Sequence, residues 1–262
     1  MKTLEWTGPV NEKVTFKNYF SSDSKGYSEF RPGYPDDLFE YLSSISNERN
    51  RAWDCATGSG QSATKLIDYF SNVLATDASE TQINNAVIRK GIHYEVALAE
   101  NSSNDNQSVD LITVAQALHW FDLDAFITEV DRVLKYDGVL AVWTYNLLSI
   151  NQDIDELVND LYSDILDEFW PPERKMVESG YKNITFPFEE VSPPSFAMRE
   201  NWNLTQLIGY LNTWSAVKAY EREKKYNPVN LIVNELCEVW GAAESSRQIT
   251  WPLSVKLWRK KA

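Results

Sequence analysis

The chain has 262 residues, 43% of them hydrophobic and 24% charged, which is long enough for one large α/β domain. Its formal net charge is −13, and this excess of acid disfavours a nucleic-acid partner. Two cysteines without CxxC spacing disfavour a disulfide framework and a metal site, and they favour a reducing compartment. No segment resembles a signal peptide or a membrane span, so the sequence predicts a cytoplasmic protein without a membrane partner.

The first 50 residues precede the first predicted strand. Their pattern Y-x-x-x-R-P-x-Y-P places Tyr27 and Arg31 beside two prolines that stiffen the loop. Such a loop is either a rigid arm packed on the domain or a clamp in which Arg31 meets a carboxylate. A helix is predicted over residues 36–44. We expect residues 1–50 to form an arm and a helix over a cofactor site.

Residues 51–77, RAWDCATGSGQSATKLIDYFSNVLATD, predict a strand, a glycine turn, a helix and a second strand that ends in an acid. Gly58 and Gly60 allow backbone conformations and close approaches that a side chain would forbid. The turn presents backbone N–H groups at a helix N-terminus, with the Asp77 carboxylate beside them. This combination is typical of a nucleotide-binding unit.

Two cofactors fit this unit. The G-x-G-x-x-A pattern with Asp77 19 residues after Gly58 matches a dinucleotide fingerprint, and Tyr220 and Lys224 have the spacing of a short-chain dehydrogenase pair. Asp54, inside the first strand, favours S-adenosylmethionine instead. An acid near the turn suits the methionine amino group, and an acid at the end of the second strand suits the ribose diol.

Further along the chain, helices and strands alternate at the spacing of a doubly wound parallel sheet, over residues 80–89, 94–98, 111–115, 124–135 and 139–143. After residue 151 this alternation stops. Helices are predicted over residues 153–169, 204–220 and 228–240, and strands over 184–191 and 249–258. The sequence therefore predicts an α/β, Rossmann-like, seven-stranded sheet. Residues 51–150 form its cofactor-binding core, and residues 151–262 add a helical cover and the final strands of the same domain.

Four segments carry a resemblance to a known family: WDCATGSGQ (53–61), TDAS (76–79), VDLITVAQALHWFD (109–122) and RVLKYDG (132–138). They resemble motifs of the class I S-adenosylmethionine-dependent methyltransferases of the methyltransferase type 11 group. YxxxRPxYP, AQALHWFD, GYLNTWSAV and WPL are similar to the subgroup containing fungal trans-aconitate and cantharidin methyltransferases. ATGSG stands where GCGTG is commoner, and Tyr136-Asp137 replaces Pro-Gly. Neither departure removes a side chain on which the site depends.

The resemblance implies S-adenosyl-L-methionine as the cofactor. Asp77 is implied to bind both ribose hydroxyls, Gln116 with the glycine-turn backbone to hold the methionine moiety, and Arg31 with Tyr27 to reach its carboxylate. Residues implied to border the adenine are Ala78, Gln82, Ala99 and Glu100. The full set of predicted cofactor-binding residues is Tyr27, Arg31, Asp54, Ala56, Gly58, Ser59, Gly60, Asp77, Ala78, Gln82, Ala99, Glu100 and Gln116.

A small organic molecule is the expected methyl acceptor, and the resemblance suggests O-methylation of a carboxylic acid. The predicted fourth strand ends in AQALHW and not in an Asn/Asp-Pro-Pro-Tyr motif, which disfavours amino groups of bases or glutamine. His119 is either a candidate base or a residue that fixes Trp120. The predicted acceptor wall contains Trp120, Tyr145 and Trp214, although the 10 Trp, 13 Tyr and 11 Phe residues fit a ring-rich core equally well. An NAD(P)-dependent oxidoreductase and a non-catalytic cofactor-binding subunit are the alternatives.

Overall fold

The computed structural model describes residues 31–261, and the predicted contact residue Tyr27 lies outside them. The strands in chain order are β1 (Arg51–Cys55), β2 (Asn72–Asp77), β3 (Ile92–Val96), β4 (Val109–Ala115), β5 (Leu134–Tyr145), β6 (Glu189–Val191), β7 (Phe196–Trp202) and β8 (Arg247–Arg259). The α-helices are α1 (Asp36–Ile45), α2 (Gln61–Leu66), α3 (Glu80–Asn84), α4 (Leu123–Val133), α5 (Gln152–Asp160), α6 (Arg174–Glu178), α7 (Leu204–Leu211), α8 (Ser215–Lys224) and α9 (Val233–Trp240). Short 3₁₀ turns cover Leu118–Trp120, Asp167–Phe169 and Pro228–Leu231, and a π-helical turn covers Leu161–Ile165.

One mixed sheet organises the described chain, with the strand order β3-β2-β1-β4-β5-β8-β6. Strands β1 to β5 run parallel, whereas β8 runs antiparallel to β5, β6 and β7. The predicted Rossmann-like α/β fold is therefore confirmed. Seven strands lie on the main path of the sheet, and β7 adds an eighth by pairing with β8.

The central strands are apolar on both sides because helices cover both faces of the sheet. Trp53 of β1 packs on one face in a cluster with Phe126 and Val130 of α4. Its neighbour Ala52 points to the opposite face and joins a cluster with Leu38 of α1 and other apolar side chains. This alternation with period 2 gives each strand two buried faces, so the strand ends become the exposed edge of the core.

The chain topology concentrates polar groups at the carboxyl ends of β1 and β4. These two strands are neighbours, and the strand order reverses between them, which is where open α/β sheets bind ligands. Ala56 follows β1 with φ 55°, and Gln116 follows β4 with φ 57°. Left-handed backbone at two non-glycine residues costs conformational energy, and such residues cluster at functional sites.

Residues between β5 and β8 build a third hydrophobic cluster that covers this end of the molecule. Its members include Trp202, Tyr210, Trp214 and Trp240, and it reaches the sheet through Trp251 of β8. The Trp251 indole N–H donates to the Tyr210 hydroxyl at 3.2 Å, so the polar atoms of these two side chains are hydrogen-bonded to each other inside the cluster. Much of the aromatic content of the chain therefore forms core.

Several predicted elements were wrong in extent. The single helix expected over residues 204–220 is two helices, because Asn212 and Thr213 side chains donate to the carbonyls of Ile208 and Tyr210 and compete with the helical bonds. The helix expected over 80–89 ends at Asn84. The helix expected over 153–169 gives way to the π-helical turn after residue 160, and strand β7 was not predicted.

Candidate functional site

The glycine turn after β1 is fixed by the acid that ends β2. The Asp77 carboxylate accepts the backbone N–H of Gly58 at 2.9 Å through Oδ2 and that of Ser79 at 2.8 Å through Oδ1. Burial raises the pKa of Asp77 above its ordinary value. The structure thus brings the predicted ribose acid and the predicted turn into direct contact.

Space around the two glycines differs. A Cβ on Gly60, where φ is +89°, would lie 2.3 Å from the Tyr94 hydroxyl oxygen. A Cβ on Gly58, where φ is +58°, would meet only the side-chain oxygen of Gln82 at 4.0 Å. Gly60 is therefore required for packing against β3, whereas the surface over Gly58 is open and bordered by Gln82.

Asp54 lies behind the turn and is 1% exposed. Its Oδ2 accepts the Thr57 hydroxyl at 2.5 Å and the Ala63 backbone N–H at 3.0 Å, and its Oδ1 accepts the Thr113 hydroxyl at 2.8 Å. The carboxylate therefore joins β1, the turn, α2 and β4. Burial raises the pKa of Asp54 to about 6, against the opposing effect of these hydrogen bonds.

This raised pKa predicts a pH-dependent stability difference between the wild type and Asp54→Asn. A carboxyl whose pKa is higher in the folded state stabilises the fold below the unfolded value of 3.8, and this contribution is lost as pH rises through about 6. We expect the free energy of unfolding of the wild type, relative to Asp54→Asn, to fall by roughly 3 kcal/mol between acidic and mildly alkaline pH. Urea unfolding of both proteins across this range measures the difference, and a pH-independent difference would contradict the raised pKa.

The residues predicted to border adenine lie at the ends of β2 and β3. Ala99 is buried in an apolar cluster with Ala117 and Leu118. The Glu100 carboxylate accepts the Asp122 backbone N–H at 2.9 Å, and burial raises its pKa. Ala78 is half-buried between Asp77 and Ser79. The end of β2 and the segment after β3 thus each place a carboxylate, Asp77 or Glu100, next in sequence to an alanine, Ala78 or Ala99.

Gln116 and Arg31 meet at Tyr145, the last residue of β5. The Gln116 side chain donates to the Tyr145 carbonyl at 3.2 Å and accepts the Thr144 hydroxyl at 2.6 Å. Arg31 donates to the Tyr145 hydroxyl at 2.7 Å. The Gln116 side chain is therefore turned toward β5, which holds its left-handed backbone in place beside the glycine turn.

His119 lies in the 3₁₀ turn that follows β4. Its Nδ1 is 2.8 Å from the Tyr181 hydroxyl oxygen, and its ring is 4.6 Å from the Trp120 ring. Burial and, to a smaller extent, the positive charge of Arg174 together lower the pKa of His119 to about 4. The imidazole is neutral at physiological pH and weakly basic, which favours the orienting role over the role of a base.

The three predicted acceptor-wall residues lie in different surroundings. Trp120 is half-buried beside His119. Tyr145 is 7% exposed at the end of β5. Trp214 is 6% exposed and packs among rings of the cover, with centroids 5.8 Å from Tyr162 and 5.7 Å from Trp170. Trp120 is therefore the most exposed of the three.

Two residues of this region escaped the sequence reasoning. Tyr181 follows α6 and contacts His119 62 positions away, and Arg174 begins α6. In the sequence, only the glycine at position 180 marks this region. The structure explains the glycine, because φ is +62° and an added Cβ would lie 2.8 Å from the Ser254 hydroxyl oxygen. No motif links Arg174 to the strand ends, so its place depends on the tertiary fold.

Known proteins identify the family. Residues 53–142 match the family described as methyltransferase domain. A protein of Dictyostelium discoideum that is named as a methyltransferase is 36% identical over 218 residues, which cover 82% of this chain and 83% of that protein. A solved structure of a type II methyltransferase, so named, from Anaeromyxobacter dehalogenans is 39% identical with a TM-score of 0.84, and the match covers 88% of this chain and 99% of that chain. The chain belongs to the class I S-adenosylmethionine-dependent methyltransferases.

A Saccharomyces cerevisiae protein named as an S-adenosylmethionine-dependent methyltransferase is similar over nearly the whole chain, with 24% identity over 279 residues, 91% of this chain and 96% of that protein. This chain, like its relatives, is therefore an enzyme that uses S-adenosylmethionine, as predicted. The NAD(P)-dependent oxidoreductase and the non-catalytic subunit are overturned by the family. Across residues 31–261, none of the helices has the length and apolar character needed to cross a membrane.

The residues at the strand ends fit this cofactor. The open surface over Gly58 leaves room for a ligand to contact the backbone of the turn. Two residues after Asp77, the buried Ser79 hydroxyl makes no hydrogen bond within the described part of the chain. A buried hydroxyl without a partner next to a buried carboxylate is consistent with a site that a polar ligand completes.

Proposed function

We propose that this methyltransferase methylates a small organic acceptor, and that its reaction is O-methylation of a carboxylic acid. The observation that carries the proposal is the weak basicity of the groups beside the strand ends. His119 has a pKa of about 4, and burial raises the pKa of the Tyr181 hydroxyl well above its ordinary value. A carboxylate is already ionised at neutral pH and needs no base, whereas a hydroxyl or thiol acceptor must lose a proton.

We further propose the roles of the cofactor site. Bound S-adenosylmethionine supplies a methyl group that its sulfonium charge activates. Asp77 binds the ribose hydroxyls, and the methionine moiety lies against the turn from Ala56 to Gly60, the Gln116 backbone and Arg31. Asp54 acts behind the turn, because its oxygens already accept three protein hydrogen bonds. The adenine borders are Ala78, Gln82, Ala99 and Glu100.

Alignment and water exclusion supply most of the catalysis that such a reaction requires. In the proposed arrangement the half-buried Trp120 faces the acceptor, while Tyr145 and Trp214 support the wall from the cover. Residues 51–150 act as the cofactor-binding core, and residues 151–262 close the acceptor side. The similarity of AQALHWFD and GYLNTWSAV to the trans-aconitate and cantharidin subgroup supports a small acid as the acceptor, and the net charge of −13 disfavours a nucleic-acid acceptor.

A screen with methyl-labelled S-adenosylmethionine and a panel of small carboxylic acids, phenols and thiols tests the proposal. We expect label in an acid, and mild alkali should release it as methanol because the product is a methyl ester. Label found only in macromolecules would overturn the small-molecule acceptor. Label in phenols or thiols, with none in acids, would overturn O-methylation of a carboxylate.

His119→Gln tests whether His119 acts as a base in the reaction. Glutamine keeps a hydrogen-bonding side chain but cannot exchange a proton near neutral pH. If His119 only orients its neighbours, the variant loses about tenfold in kcat or less, and the pH profile keeps its shape. A loss of about a thousandfold together with the disappearance of a titration from the profile would assign a base to His119.

A further inference from the structure

We infer that Arg174 binds a carboxylate of the methyl acceptor, in a subsite framed by the rings of Tyr162 and Trp170 beside His119. This role rests on the proposed function, since it assigns a residue to the acid that the enzyme methylates. It makes Arg174 a specificity-determining residue that selects anionic acceptors over neutral ones of the same shape.

The guanidinium of Arg174 is held in a defined orientation. Its Nε donates to the Tyr162 hydroxyl at 2.8 Å, and its central carbon lies 5.4 Å from the centre of the Tyr162 ring and 5.0 Å from that of Trp170. The two rings are themselves 4.7 Å apart. A cation fixed in this way loses little further side-chain entropy when it binds an anion.

The charge of Arg174 is not neutralised by the protein around it. Within the described part of the chain, its terminal NH2 groups make no hydrogen bond, and no carboxylate forms an ion pair with it. Glu178, one turn along α6, instead accepts the Tyr162 hydroxyl at 2.5 Å. Arg132 shows the contrast, because it bonds to Glu129, Asn106 and two backbone carbonyls.

A half-buried guanidinium with its planar NH2 pair uncommitted matches the geometry of a carboxylate, which binds arginine in a bidentate fashion. Within residues 31–261, the NH2 groups of Arg174 are not among the buried polar atoms that lack a partner, so they remain accessible to a carboxylate from solvent. In a chain with a net charge of −13, acidic side chains to pair with it are abundant. The free side of Arg174 is therefore better explained by a ligand than by a missing structural partner.

Arg174 also lies on the side of the molecule where methyl transfer takes place. Helix α6 packs against β5 and against the 3₁₀ turn that contains His119. Its positive charge contributes to the lowered pKa of His119 and opposes part of the rise that burial causes in the pKa of Tyr181. The next strand end supplies a polar atom, since the buried Asn146 Oδ1 has no hydrogen-bond partner among residues 31–261.

Paired probes of equal shape test this role in the protein saturated with S-adenosylhomocysteine. The probes are benzoate with benzamide, phenylacetate with phenylacetamide, and hexanoate with hexanamide, each measured by calorimetry. We expect the wild type to bind at least one carboxylate about 10- to 100-fold more tightly than its amide, as a charge-assisted hydrogen-bond pair implies. Arg174→Gln should remove this preference, and Arg174→Lys should retain part of it.

Arg222→Gln is the matched control, because it removes the same charge from the exposed surface of α8. S-adenosylhomocysteine should bind the wild type and all three variants equally, which shows that the cofactor site is intact. A second measurement is the pKa of His119, one of two histidines in the chain, followed by NMR of its side chain. In the wild type a bound carboxylate should raise the pKa of His119 by offsetting the charge of Arg174, and in Arg174→Gln it should not.

The role of Arg174 would be overturned if Arg174→Gln kept the preference for carboxylates. It would also be overturned if the wild type bound acids and amides equally, or bound none of the six probes. A structural role of Arg174 in the cover predicts a lower free energy of unfolding for Arg174→Gln with the carboxylate preference intact. Failure of the proposed role of Arg174 can be distinguished from failure of the proposed function. Methylation of a small acid with the same kcat/KM in Arg174→Gln would reject the subsite alone, whereas label confined to macromolecules would reject the proposed acceptor class.

Discussion

Asp77→Ala is expected to weaken binding of S-adenosylhomocysteine by about 100-fold or more, equivalent to roughly 3 kcal/mol. The carboxylate is assigned two charge-assisted hydrogen bonds to the ribose, and such bonds are stronger than those between neutral groups. Its removal also releases the Gly58 and Ser79 N–H groups that Asp77 accepts at 2.9 and 2.8 Å. Both effects act on the cofactor, and calorimetry with S-adenosylhomocysteine measures their sum.

Glu80→Ala is the matched control for Asp77→Ala. Glu80 is exposed in the first turn of α3, three positions away, so its removal changes the local charge equally without touching the turn. Its affinity for S-adenosylhomocysteine should stay within about twofold of the wild type, as surface charges are screened by salt. Equal affinities for Asp77→Ala and the wild type would remove the ribose assignment, and circular dichroism of the variant establishes that a loss is not due to unfolding.

The strand–turn–helix unit could be predicted because its signals are local. Gly58 and Gly60 mark the turn through their own backbone freedom, and Asp77 follows from the length of the helix between the two strands. The role of Asp54 could not be predicted in the same way. An acid inside a strand faces either the ligand or the protein, and only the neighbouring Thr57 and Thr113 hydroxyls show that this one faces the protein.

The acceptor side was harder to predict because its contacts are non-local. His119 was recognised by its position after β4, but its weak basicity results from burial in the tertiary fold and, to a smaller extent, from the charge of Arg174, 55 positions further along the chain. The aromatic content fitted a core and a pocket equally well, and the structure buries many of these rings, among them Trp202, Trp214 and Trp251 in the hydrophobic cluster built between β5 and β8. Strand β7 was missed because its apolar alternation, with Phe196, Met198 and Trp202 inside, is interrupted by Glu200 on the same face.

Gly60→Ala is expected to lower the free energy of unfolding by about 3 kcal/mol or more and to abolish cofactor binding at micromolar concentrations. The cost has two sources. A side chain at φ +89° is conformationally strained, and the new Cβ would lie 2.3 Å from the Tyr94 hydroxyl oxygen and 3.1 Å from the ring carbon that bears it. Tyr94 belongs to β3 and donates to the Val87 carbonyl at 2.9 Å, so moving its ring away disturbs the segment after α3.

Gly241→Ala separates these two costs. Gly241 has φ +77°, yet an added Cβ there would meet no atom within 4 Å, so this variant carries the conformational strain alone. Its backbone, with ψ −126°, is close to the region restricted to glycine, so we expect a loss of about 2 kcal/mol or more in urea unfolding, with S-adenosylhomocysteine binding as in the wild type. A loss of only about 1 kcal/mol in Gly60→Ala, the cost of left-handed strain alone, would show that the contact with Tyr94 contributes nothing to the requirement for glycine.

A double-mutant cycle with Tyr94→Phe tests the clash directly. Phenylalanine removes the oxygen at 2.3 Å and leaves the ring carbon at 3.1 Å, so the Gly60→Ala cost in that background should shrink by about 1 kcal/mol and not vanish. An unchanged cost would place the effect in the backbone of the turn. Recovery of stability without recovery of S-adenosylhomocysteine binding would separate two demands on Gly60: packing on Tyr94 for the fold, and a left-handed conformation that directs the turn toward Asp77 for the cofactor.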